Sequence, residues 1–180
     1  PVLIESPEDD NLRNTVLYYK DDKGYLVPVM RKIPWPEGRG IAKASLRALV
    51  NNVANREEME TLGLIPLLPT DTEIIGMNIN EGVCVLDLTA EALNNNTLEE
   101  QETMVKGIVY TLTEFPTIEY VELRIDGKAY EMAGSNVMCR GDINYFGDSE
   151  NDNRVVVYYQ GTVNGMENYF VPVTKEVNNT

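Results

Sequence analysis
Apolar and polar positions alternate or recur along this chain in runs that predict a short list of elements. Thr15-Val16-Leu17-Tyr18-Tyr19-Lys20 is β-branched and aromatic and predicts a strand. Asp21-Asp22-Lys23-Gly24 has turn chemistry, and Tyr25 to Ile33 predicts the returning strand. Pro28 cannot donate to a ladder, which places that strand at an edge or at a bulge. Ile41, Ala44, Leu46, Leu49, Val50 and Val53 recur at three- and four-residue steps, predicting an amphipathic helix over about 40–55. Glu57 to Glu60 extends it by a turn, and Gly63 caps it. Leu64 to Pro69 is apolar but carries two prolines, so it reads as a packed loop.

The second half of the unit is strand-rich. Asp71–Asn78 and Val83–Leu88 predict strands around a turn at Asn80-Glu81-Gly82, the second nearly all apolar and therefore central. Thr89–Asn96 reads as a polar connection with a short helical turn. Thr97-Leu98-Glu99-Glu100 has the form of a capping box, and Val105, Ile108, Val109 and Leu112 define the face of a second helix that stops before Pro116. Ile118–Ile125 alternates and predicts a half-buried strand, followed by a turn at Asp126-Gly127. Residues 130–147 show no clean period. Both helix faces are expected to lie against the sheet.

The opening then returns. Asn153-Arg154-Val155-Val156-Val157-Tyr158-Tyr159-Gln160 matches Arg13 to Lys20, and Tyr169-Phe170-Val171-Pro172-Val173 matches Tyr25-Leu26-Val27-Pro28-Val29. The tyrosine pairs stand 140 residues apart, and the second turn is four residues longer. Repetition of this kind marks tandem units, the plainer alternative being two similar hairpins of one domain; the shared Tyr-Tyr and Val-Pro-Val favour the repeat. The predicted organisation is an acidic arm at 1–12, a domain at 13–147, a linker at 148–152, and at 153–180 the first hairpin of a second, incomplete repeat. A lone two-stranded hairpin is marginal in water, so this one needs the first domain or another chain.

Charge and composition narrow the function. The 180 residues carry 15 Lys and Arg against 29 Asp and Glu, a net charge of −14 that disfavours nucleic acid or an anionic membrane surface as partner. Histidine is absent, which removes Ser-His-Asp and Cys-His nucleophiles, His-ligated zinc and imidazole acid–base chemistry. Hydrophobic residues make up 43%, enough for a real core. No stretch approaches the roughly 18 apolar residues of a membrane span. Cys84 lies in an apolar run and reads as a buried small hydrophobe; Cys139 reads as a loop residue, and pairing between the two stays open.

One set of motifs is specific. Leu64-Ile65-Pro66 to Leu68-Pro69, Thr72-Glu73-Ile74-Ile75-Gly76, Gly82 to Thr89, Val109-Tyr110-Thr111-Leu112-Thr113-Glu114-Phe115-Pro116 and Val121 to Gly127 resemble, in order and wording, the GerMN domain of the GerM family of sporulation and spore-germination proteins. The resemblance covers about residues 13–130, and 153–175 looks like the start of a second such domain. It implies an α+β fold: a small mixed sheet with two helices packed on one face, like a ring-building motif, plus a C-terminal β-hairpin starting a second repeat. It implies a lipoprotein of spore-forming Firmicutes, acting outside the cytoplasm between mother cell and forespore. Its partners there would be proteins of the channel complex linking the two cells, with self-association as a further expectation. The membrane would be reached only through a removed, lipid-anchored N-terminus. The resemblance brings no catalytic residue, cofactor or metal, and neither cysteine belongs to the pattern.

The residues themselves offer few sites. Trp35, Tyr18 and Tyr158 are the candidate interaction surface, Trp35 lying between two prolines and each tyrosine pair placing one ring inward and one outward. Exposed Tyr and Trp also carry the alternative function, a peptidoglycan or other cell-wall binding module. Asp87, with Glu91 or Asp71, is the pair a carboxylate hydrolase would need, against the simpler expectation that Asp87 caps the turn after its strand. Asp148 to Asn153 starts like a calcium loop but has Asn153 where glycine and Tyr159 where glutamate are required, so no EF-hand is expected. Gly38-Arg39-Gly40 is too short for a phosphate loop.

Overall fold
The computed structural model describes residues 12–35, 40–94, 97–143 and the backbone of 154–163 and 166–176. The acidic arm before Leu12 and the 148–152 linker lie outside the described residues. The chain runs β1 (Leu12–Lys20), β2 (Leu26–Pro34), α1 (Ile41–Ala48), α2 (Val53–Glu60), β3 (Ile74–Asn80) and β4 (Val83–Leu88). A 3₁₀ turn (Ala90–Leu93) leads to α3 (Leu98–Leu112), β5 (Tyr120–Ile125), β6 (Lys128–Ala129), β7 (Val137–Cys139) and the single turn α4 (Arg140–Ile143). β8 (Arg154–Val163) and β9 (Met166–Glu176) follow.

The α+β class is as expected, and the sheet is mixed. β3 and β4 are antiparallel around the two-residue turn Glu81-Gly82, whose positive φ values of 48° and 83° match the right-handed strand twist. The long α3 connection returns the chain parallel to β4 as β5. β6 and β7 pair in succession along the far edge of β5, so β4 and β5 are interior.

The first hairpin does not join this sheet. β1 and β2 form a sheet of their own, and α1 and α3 touch both it and the mixed sheet. The helices are therefore the middle layer of three. That placement explains α3, where Met104, Val105 and every residue from Gly107 to Leu112 are buried: a helix covered on both sides is apolar nearly all round. Gly107 and Thr111 mark the side under the hairpin. A Cβ at Gly107 would lie 2.5 Å from Leu67 Cδ2 and 3.1 Å from Leu26 Cδ2, and Thr111 Oγ1 accepts a hydrogen bond from the Tyr18 N–H at 3.2 Å. The capping box is present: Glu100 N–H donates to Thr97 Oγ1, and Thr97 N–H to Glu100 Oε2.

The helix expected over 40–55 is two helices. Asn52 caps α2, its side chain accepting from Asn55 N–H at 2.9 Å, and Asn55 Nδ2 donates back to the carbonyls of Arg47 and Val50. Two asparagines thus supply groups that satisfy one helix end and start the next. The break turns Val53 out to solvent at 60% exposure, correcting its expected place in the core, while Leu49 stays fully buried. Gly63, at φ 68°, ends α2 as expected.

The two hairpins pair in the same register. Tyr18 stands opposite Pro28 and Tyr19 opposite Val27; Tyr158 stands opposite Pro172 and Tyr159 opposite Val171. β9 runs beside β2 without joining its ladder, so the second hairpin lies against the first.

Cys84 and Cys139 are both free, and Cys139 ends β7 and is not in a loop. Cys84 is fully buried on the core face of β4, and burial pushes its thiol up to about 12 from the model-compound 9.0. The folded state thus favours the neutral thiol. That stabilisation is complete below pH 9 and is lost as pH rises from 9 towards 12. Cys84→Val should flatten the fall in stability between pH 8.5 and 10 by roughly 1 kcal/mol, measured by urea unfolding at each pH.

Candidate interaction surface
Tyr18 is not surface. It is only 6% exposed and stacks on Tyr110 with ring centroids 5.1 Å apart. Its hydroxyl donates to Glu114 Oε1 at 3.2 Å. Arg140 lies over both rings, 4.9 Å from the Tyr110 centroid and 5.9 Å from that of Tyr18. The guanidinium donates to Tyr110 O at 2.8 Å, Thr113 Oγ1 at 3.1 Å and Glu114 Oε1 at 2.7 Å. Burial raises the Tyr18 hydroxyl above its ordinary range, with Arg140 opposing. This cluster locks α4 and the first hairpin onto the end of α3.

Tyr19 is buried too, which corrects the expectation of one ring inside and one outside. Tyr18 packs on Tyr110 of α3 and Tyr19 reaches Ala48 of α1 and Arg31, so both rings are covered. The Tyr19 hydroxyl donates to Ala48 O at 3.1 Å and accepts from Arg31, which also pairs with Glu58 of α2. Trp35 is half-buried at the end of β2, with the Arg13 guanidinium 5.0 Å from its ring centroid. Its buried Nε1–H bonds to none of the described residues. Tyr158 is placed by its backbone register alone, its side chain lying outside the described residues. The three candidates are therefore not assembled into one surface by the described residues.

Asp87 does not cap the turn after its own strand. Its Oδ1 accepts from Gly127 N–H at 2.9 Å, in the turn that follows β5. Asp126 answers in kind: its Oδ1 accepts from Ala90 N–H at 3.2 Å, in the turn that follows β4. Two aspartates on parallel neighbours thus cap each other's turns. Asp87→Ala should cost about 1 kcal/mol, seen as a lower urea midpoint at unchanged slope. Asp87, the best candidate for carboxylate catalysis, is a structural cap. The exposed Glu91 carboxylate is held below its usual range by the Thr89 hydroxyl and its own backbone N–H. Among the described residues no group of three or more Cys, Asp or Glu could hold a metal ion. A cleft of about 660 Å³ lies between the first hairpin turn and the start of α3. It is open and lined by both charge signs, with Lys20 and Lys106 facing Glu99, Glu100 and Glu102.

Among the described residues, the mixed sheet is left partly exposed on one face. Its core face, with Leu86, Leu123, Cys84 and Val121, is covered by helices. Its other face carries Val83, Val85 and Asp87 on β4, Tyr120, Glu122 and Arg124 on β5, and Val137 on β7, all partly or well exposed. No signal in the sequence marked this face, because its residues are ordinary strand residues of the half not facing the core.

A model of the Germane family, described as sporulation and spore germination, matches residues 16–131. The chain belongs to this family. It is 30% identical over 190 residues to the spore germination protein GerM of Bacillus subtilis strain 168, a match covering 98% of this chain and 50% of that protein. The chain thus spans about half the length of that Germane relative. The tandem GerMN domains of the B. subtilis sporulation protein GerM superpose with a TM-score of 0.77 at 30% identity, covering 93% of this chain and 61% of that one. The first GerMN domain of the same protein superposes with a TM-score of 0.61 at 29% identity, covering 72% and 99%. The resemblance read from the motifs is shown: this Germane chain carries a GerMN domain like those of GerM. No helix among the described residues is long and apolar enough to cross a membrane.

Proposed function
We propose that this chain is a non-enzymatic protein-interaction scaffold acting outside the cytoplasm, where it helps assemble the channel complex between mother cell and forespore. The observation that carries this reading is the use of the polar side chains. Asp87, Asp126, Glu114, Arg140 and Arg31 all bind elements of the fold to one another, while among the described residues one sheet face is left partly exposed. Membership of a sporulation and germination family supports the setting. The full-length protein is then a membrane-anchored lipoprotein whose partners are channel proteins. Trp35 is retained as a contact at the margin of the first hairpin. The wall-binding alternative loses its main ring, because Tyr18 is buried.

The test uses the full-length protein in its own sporulating host. External protease should reach it once the mother-cell envelope is opened, and cross-linking should join it to channel components during engulfment. A protein that stays in the cytoplasmic fraction and cross-links to none of them would overturn the proposal.

A further inference from the structure
The mixed sheet ends on β3. One side of this strand is bonded to β4, and no backbone hydrogen bond from another described element reaches residues 75–80. Among the described residues, β2, β6 and β7 are guarded edges. β2 carries Pro28, Arg31 and Lys32 and has β9 beside it, while β6 and β7 are two and three residues long. Ile74–Asn80 contains no charged residue and no proline, and α1, which touches β3, makes no backbone hydrogen bond to residues 75–80. A bulge at Ile75 twists its start and leaves Gly76–Asn80 as the regular run. Met77 and Ile79 stand opposite the buried Leu86 and Cys84, yet Ile79 is 41% exposed. Among the described residues the rim of the core is left partly uncovered at Ile79.

We propose that the free edge of Gly76–Asn80 receives an extended strand from a partner protein, apolar at alternate positions and closed at its ends by Lys or Arg. The apolar positions would cover Met77 and Ile79, extending the core by one strand, and main-chain bonds would supply affinity. The basic ends answer the charges on the page. Glu73 and Glu81 flank the strand, and the whole chain carries −14. A second copy fits worse, because self-pairing of Gly76–Asn80 about Asn78 sets Ile75 opposite Glu81 and brings no Lys or Arg to the flanking glutamates. The inference rests on the reading of this domain as an interaction module, but its test involves no channel assembly.

The probe is a short peptide of alternating valine and threonine closed by lysines, titrated into the isotope-labelled chain and followed by amide shifts and hydrogen exchange. Saturable shifts confined to β3, with slowed exchange of its unbonded amides, are expected. The same peptide closed by glutamates should bind about tenfold or more weaker, ~1.4 kcal/mol. Ile79→Lys should abolish binding with the melting curve unchanged, and Glu73→Gln with Glu81→Gln should bring the two peptides together. Shifts elsewhere, equal binding of both peptides, or a peptide-free dimer that already protects β3 would overturn the proposal. A negative cell experiment with a positive titration would sink the channel reading alone.

Discussion

Leu49→Ala is expected to lower unfolding free energy by about 2–5 kcal/mol, the range for emptying a fully buried leucine site. Leu49 is 0% exposed and sits where α1 ends. Its N–H donates to Leu46 O at 3.0 Å, and its carbonyl accepts from Leu68 N–H at 2.9 Å. The backbone on both sides is thereby pinned to α1 and to the proline-bounded loop, so neither can slide in to fill the space. Leu49→Met, of similar volume, should lose less than about 1.5 kcal/mol. Val53→Ala, on the neighbouring helix but facing water, should stay within about 0.5 kcal/mol. Urea unfolding of the three variants checks the ordering. A Leu49→Ala loss as small as that of Val53→Ala would contradict the placement of α1 between the hairpin and the sheet.

Tyr18→Ala should be comparably damaging, about 3–5 kcal/mol for the loss of a large buried ring. The ring is the link between three elements: it stacks on Tyr110 of α3, lies under Arg140 of α4, and its own strand bonds to Thr111. Tyr18→Phe keeps the ring and loses only the hydroxyl bond to Glu114, so it should cost about 0.5–1.5 kcal/mol. A double-mutant cycle between Tyr18→Phe and Arg140→Lys should show coupling, because both groups share Glu114 and the Tyr110 ring. Lysine cannot reproduce the planar fork that reaches Tyr110, Thr113 and Glu114 at once. If Tyr18→Ala were neutral for stability yet abolished partner binding, the tyrosine would be a contact residue and the packing described above would be wrong.

Much of this fold was legible because the signals were local. The capping box at Thr97, the Glu81-Gly82 and Asp126-Gly127 turns, and the apolar alternation of β4 and β5 each depend on residues within a few positions. The break between α1 and α2 was also written locally, in Asn51-Asn52 and Asn55, but the apolar period across it read as continuous. A helical stripe set by Ile41 to Leu49 happens to stay in phase through Val53. The layering was harder. Nothing near Tyr18 and Tyr19 says that both rings are covered; the sign lies 90 residues on, in the unbroken buried run from Gly107 to Leu112. β7 pairs with β5 across an aperiodic stretch, and three residues give too short a pattern to read.

The candidate interaction surface was the least legible part. Tyr and Trp dominate interfaces, yet in a small three-layer domain large aromatics also fill the space between layers. Among the described residues the open features are strand residues with ordinary side chains and an unpaired backbone edge, and an unpaired edge has no residue type of its own. It appears only once the strand order is known.

The central claim is that this protein works by assembly. Its most direct test is the channel complex itself, purified from sporulating cells of the host with the gene intact and with it deleted. The account predicts that the complex fails to assemble or falls apart without this protein, and that re-expression of the full-length chain restores it. A complete complex recovered in equal amount from the deletion strain would contradict the account.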